Sequence, residues 1–256
     1  MSKSTELLLA LVVKYKGNWE KVYHSLQNKE FPDEEFVNQV AKEYEGKYIT
    51  ILDTEYPENL KMSHKPPFVL FYEGNIKILK DKNYKRLALS DSKKVSIEDK
   101  QIAREILSNV PDTALILGGE GELTDSIVKE HNNPIIMVLA YSPNHYGYVG
   151  LKQKIIAQGG VIISEYPDNA FIDLSTENFM YRYRIMSSLC YKTLVVNNIK
   201  QHSGTNTLVM WTLQQGKDVM VVPVSPLDKD SVNNKLIYEG AIPVYDNDTL
   251  CFELAN

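Results

Sequence analysis

Residues 159–185 read GGVIISEYPDNAFIDLSTENFMYRYRI, and their order decides the fold. Gly159 and Gly160 lead into an apolar run at 161–163 of buried-strand length. Ser164 and Glu165 turn the chain, Pro167 closes the loop, and the spacing predicts a helix over 179–189 that carries Arg182 and Arg184 near its start. A strand whose C-terminal end opens into polar residues before a helix is where α/β proteins place ligands. Two arginines interleaved with Phe179, Tyr181 and Tyr183 supply cations for phosphate beside rings that stack on bases. The block implies a nucleotide or nucleic-acid site.

The same alternation extends on both sides. Short apolar runs recur at 87–89, 114–117, 135–139, 194–196 and 219–222, separated by helical stretches at 97–107, 125–130, 149–158 and 207–215. Continuous apolar strands alternating with amphipathic helices predict a mostly parallel, doubly wound sheet covered on both faces, an α/β Rossmann-like fold. Upstream, Leu7, Leu8, Leu11, Val12, Val22, Leu26, Phe36, Val37 and Val40 fall at helical spacing, and Pro32 with Asp33, Glu34 and Glu35 marks a helix start. The expected organisation is a small helical domain at 1–48 and the sheet domain at 49–256. Pro57, Pro66 and Pro67 punctuate a connector of short extended pieces between them.

Composition narrows the function. A net charge of −5 argues against coating nucleic acid by bulk electrostatics, though not against a local basic groove. Cys190 and Cys251 lie in no CxxC, and the histidines lack ligand spacing, so neither a metal site nor a disulfide framework is expected and a reducing cytoplasm fits. No cofactor is indicated. The apolar N-terminus lacks a small-residue cleavage site and reads as a core helix, and no run is long enough to span a membrane.

In a parallel sheet the strand ends share one rim. There the chain offers Ser90, Gly118-Gly119, Ser164-Glu165, Asn197-Asn198 and Pro223. Gly118 and Gly119 either let backbone amides approach a phosphate or merely close strand to helix. Ser203-Gly204-Thr205 before a helix forms either a phosphate cradle or a plain cap. Arg182 and Arg184, two apart, face different directions on a regular helix, so either both grip one phosphate from an irregular helix entry, or one binds ligand while the other anchors the fold through an ion pair with Glu165 or Glu177. Lys93 and Lys94 extend a basic run beside the first parallel strand. No nucleophile–base pair and no GxSxG elbow is present, so no catalytic residue is assigned.

These pieces, in order, resemble the DprA/Smf family of DNA-processing proteins. Tyr56-Pro57, Leu60, then 66–72 (PPFVLFY) and Gly74-Asn75 are similar to that family's YPxxL…PPxVLFYxGN. Gly159-Gly160 through Ser164-Glu165-Tyr166-Pro167 resembles GGxxxSEYP, and Phe179, Arg182, Arg184 and Ile185 resemble FPxRNRI with Met180 for proline and Tyr183 for asparagine. Ser203-Gly204-Thr205, Val222-Pro223, Asn234, Leu236-Ile237 and Glu239-Gly240-Ala241 continue the series. The family's GSRxxS turn is lost at 89–94, and of SGxAxGID only Gly118, Gly119 and Asp125 remain. The resemblance implies a cytoplasmic, non-enzymatic homodimer that binds single-stranded DNA, assists loading of RecA recombinase, and carries a SAM-like helical N-terminus. On that reading Arg182, Arg184, Ser164, Glu165, Gly118, Gly119, Ser203, Gly204, Thr205, Lys93 and Lys94 bind phosphates or nucleic acid, while Tyr181 and Tyr183 stack on bases. The alternatives are a module binding a nucleotide-derived small molecule and, last, a phosphoribohydrolase using Glu165.

Overall fold

The computed structural model describes residues 2–90, 95–119, 121–145, 147, 149–168, 176–199, 204–228 and 231–256. Three capped helices open the chain: α1 (Lys3–Lys14), α2 (Trp19–Asn28) and α3 (Glu34–Glu43). Ser2, Asn18 and Asp33 each accept a first-turn amide, from Thr5 at 3.3 Å, Lys21 at 3.0 Å and Phe36 at 2.8 Å. Asp33 therefore starts α3, with Pro32 just outside it. Their apolar faces, including Leu8, Leu11, Val22 and Val40, pack together and onto Val69 and Phe71 of the sheet.

The sheet follows: β1 (Lys47–Thr50), α4 (Glu58–Lys61), β2 (Val69–Gly74), β3 (Lys85–Leu89), α5 (Ile97–Ile106), β4 (Thr113–Gly118), α6 (Glu122–Glu130), β5 (Ile135–Val138), α7 (Val149–Ala157) and β6 (Val161–Ser164). Then come α8 (Thr176–Leu189), β7 (Lys192–Val195), α9 (Thr205–Gln214), β8 (Val219–Val221), α10 (Asn233–Tyr238), β9 (Ile242–Pro243) and α11 (Asn247–Ala255). Among the described residues these strands form one sheet in the order β1-β2-β6-β5-β4-β3-β7-β8-β9. Every pair from β6 to β9 is parallel. The fold is the expected doubly wound, mostly parallel α/β arrangement, with strand order reversing between β3 and β7.

Side-chain alternation buries both faces. Leu87 and Leu89, Leu115 and Leu117, and Met137 join the layer of α5, α6 and α11, whereas Ala88, Ala114, Ile116, Ile136 and Val138 join the layer of α8 and α9. Two pieces differ from the sequence reading. The proline-rich connector contains β1 and β2, which pair antiparallel with each other and with β6 (Phe71 opposite Ser164), extending the sheet beyond its parallel part. The C-terminal segment, for which the sequence pattern predicts no element beyond the run at 219–222, holds β9 and α11, the latter started by a capping box between Asp246 and Thr249 and anchored by buried Leu250 and Leu254.

Candidate nucleic-acid interface

The C-terminal ends of β3 to β8 form a polar rim. At its switch point Ser90 and Asn197 meet: Ser90 Oγ donates to Asn197 Oδ1 at 2.6 Å and accepts from the Val196 amide at 3.1 Å. Both side chains are buried, so they bridge β3 and β7 directly. Asn198 continues the seam, its amide donating to Asp99 Oδ1 at 3.1 Å, and its own buried Oδ1 has no hydrogen-bond partner among the described residues. Asn233, wholly buried, donates to Asn197 O at 3.2 Å and Val222 O at 2.9 Å and accepts from the Ile199 amide at 3.0 Å. It clamps the ends of β7 and β8 together, and nothing in its local sequence announced that role.

The end of β6 is held from α8. Ser164 Oγ accepts the Tyr166 amide at 3.1 Å, bending the chain so that Glu165 turns inward. Arg184 meets Glu165 in a bidentate pair, Nη1 to Oε1 at 3.0 Å and Nη2 to Oε2 at 2.7 Å, with Arg184 2% and Glu165 6% exposed at the side chain. Burial alone would pull the Arg184 guanidinium down, but Glu165 beside it more than reverses this and raises it. Arg182 points elsewhere, buried with its guanidinium 5.2 Å from the ring centres of both Phe179 and Tyr183. The two arginines do face different directions, and Arg184 is paired with Glu165.

Burial corrects several expected contacts. Tyr183 is 4% exposed and packs in the apolar layer under α8, so its ring offers no face to a base. Arg184 spends both Nη groups on Glu165, and Arg182 lies under its aromatic neighbours. The Ser164 hydroxyl is fully buried and engaged, as is Thr205 in burial. Gly118 gives its carbonyl to Thr124 Oγ at 3.2 Å, and Gly119 lies against Leu139 where β4 passes β5. Gly204 precedes α9 with no side-chain cap, and a Cβ there would fall 2.8 Å from Tyr183 Oη, so glycine allows α9 to start against α8. Tyr181 stays half-exposed. Lys93, Lys94 and Ser203 lie outside the described residues.

Glu165, Tyr166, Tyr181 and Arg184 also line a cleft of about 370 Å³ that the sequence did not reveal. Its opposite wall is the turn between α1 and α2, with Lys16, Gly17, Trp19 and Lys21, joined by Lys65. The turn sits about 150 positions from Tyr166 in the chain and Lys65 about 100, so no local pattern could bring them together. Among the described residues no group of acidic, cysteine or histidine side chains is arranged to hold a metal, and no helix is long and apolar enough to cross a membrane.

A family model described as DNA recombination-mediator protein A matches residues 47–255. DNA processing protein DprA of Streptococcus pneumoniae is 26% identical over 200 residues, which cover 75% of this chain and 68% of that protein. The crystal structure of DprA from S. pneumoniae superposes with a TM-score of 0.74 and 21% identity, covering 91% of this chain and 80% of the other. DprA of Helicobacter pylori, described for a single-stranded DNA binding mode of its own, superposes at 0.66 with 22% identity over 82% of this chain and 97% of its own. The family model reaches from β1 to the last helix, across the turn, the clamp and the seam just described, and this chain belongs to the DNA recombination-mediator protein A (DprA) family.

Proposed function

We propose that this protein binds single-stranded DNA along the C-terminal rim of its parallel sheet, as a cytoplasmic DNA-processing factor rather than an enzyme. The observation that carries the reading is the polar seam at the switch point, where the ends of β3, β7 and β8 are fixed by Ser90, Asn197 and Asn233 within a chain of DprA descent. In this reading Lys93, Lys94, Ser203 and Gly204 contact the backbone, and Tyr181 stacks on a base. Arg182, Arg184, Ser164 and Glu165 act as positioning residues that hold the β6 turn and α8 in place. Glu165 commits both oxygens to Arg184, which speaks against its use as a general base in phosphoribohydrolase chemistry.

The helical segment at 1–48 enters as a SAM-like accessory unit, and transfer of the bound strand to RecA recombinase belongs to the same proposal. Homodimerisation does too: Tyr238, Tyr245 and Phe252, each at least 66% exposed, lie on the elements around edge strand β9.

Fluorescence anisotropy with labelled oligo-dT at several salt concentrations tests the reading. Affinity is expected to fall steeply with salt, with a log–log slope of about −0.7 for each phosphate contacted on a single strand. Lys93→Ala with Lys94→Ala should weaken binding and flatten that slope. No binding at low salt contradicts the reading.

A further inference from the structure

We propose that the cleft between the α1–α2 turn and the β6–α8 junction is a phosphate-binding site that extends the path of a nucleic-acid strand beyond the rim. It rests on the single-strand reading for its occupant, but its chemistry stands by itself. Glu165, at the end of β6, belongs both to the rim and to this cleft, so a strand leaving the rim there meets it next.

Among the described residues the charge balance of the cleft is positive. The two carboxylates among them are already neutralised, Glu165 by Arg184 and Glu20 by Lys65. The hydrogen bond from Lys65 lowers Glu20 and raises Lys65 in turn. Lys16 and Lys21 line the same cleft, are exposed, and make no ion pair among the described residues, which leaves two uncompensated cations facing one volume. The positive end of the ten-residue helix α2 opens beside them.

Two further observations mark the cleft as built rather than incidental. Arg184 lines it, is 1% exposed, and its buried Nε has no hydrogen-bond partner among the described residues. A buried guanidinium N–H left unpaired is costly, and an anion in the cleft is the partner its chemistry selects. The wall itself is fixed by backbone geometry. Gly17 has φ +76°, and a Cβ there would come within 2.7 Å of Tyr166 Cδ1, so only glycine lets the turn close on the β6 loop. Lys16 is held in the left-handed region as well, at φ 51°, a conformation that non-glycine residues adopt seldom.

The test uses the full chain with Lys16→Glu and Lys21→Glu together, against a control reversing Lys42 and Lys129, which are exposed and do not line the cleft. Neither cleft lysine is ion-paired among the described residues, so the fold should survive. Labelled oligo-dT should bind the cleft variant at least about tenfold more weakly, with the salt slope reduced by about 1.4, and the control much less affected. Equal affinity and slope in wild type and cleft variant overturn the proposal while leaving rim binding intact. If the wild type binds no oligo-dT, the rim reading has failed, and thermal unfolding with inorganic pyrophosphate decides the cleft. Stabilisation of wild type but not of the variant then assigns it to free phosphate compounds, and no stabilisation of either overturns it.

Discussion

Arg184→Met is expected to remove about 3–5 kcal/mol of folding stability, seen as a lower urea midpoint with little change in slope. The reason is asymmetric. Glu165 and Arg184 are both almost wholly out of water and satisfy each other through two hydrogen bonds. Removing the guanidinium leaves a carboxylate buried without its partner. Adding Glu165→Gln to the same chain should restore much of the loss, because the pair repays its own desolvation and adds little beyond it. Arg184→Lys should recover only part, since an ammonium cannot make the parallel pair of bonds. A loss below about 1 kcal/mol for Arg184→Met would mean that the pair is hydrated in solution.

Asn233→Leu is expected to cost about 3 kcal/mol and to weaken oligo-dT binding about tenfold, although the side chain is too deep to touch a strand. Leucine matches the volume but strands the carbonyls of Asn197 and Val222 and the amide of Ile199, each a buried group that the asparagine now satisfies. Unpaired buried groups cost about 1–3 kcal/mol apiece, and relaxation of the rim recovers part of the sum. The Ile199 amide should exchange its hydrogen faster in the variant. Unchanged exchange and unchanged binding would show that β7 and β8 hold their ends without the clamp.

The parallel part of the fold was legible because a strand buried on both faces must be apolar throughout, as at Leu115, Ile116 and Leu117, and the helices between such runs leave few topologies. Direction was not legible in the connector. Val69–Gly74 reads as an extended piece, yet its antiparallel pairing with β6 depends on partners about 90 residues away. At the site, the motif order pointed to the correct family, and the opposite facing of Arg182 and Arg184 followed from helix geometry alone. Depth did not follow. Tyr183 looked like a stacking ring because aromatic character reads the same in a core as on a surface, and only the apolar layer of Ile185, Met186 and Leu189 shows which it is. Asn233 and the cleft around Gly17 were hidden because both depend on contacts between residues remote in sequence.

Rim occupancy is tested most directly by amide hydrogen exchange with and without saturating oligo-dT. The expected result is slowed exchange in the segments that follow β3, β4, β6 and β7, with the opposite edge around Pro111 and Asn132 unchanged. Protection confined to that opposite edge, or no protection at saturation, would contradict strand binding on the rim.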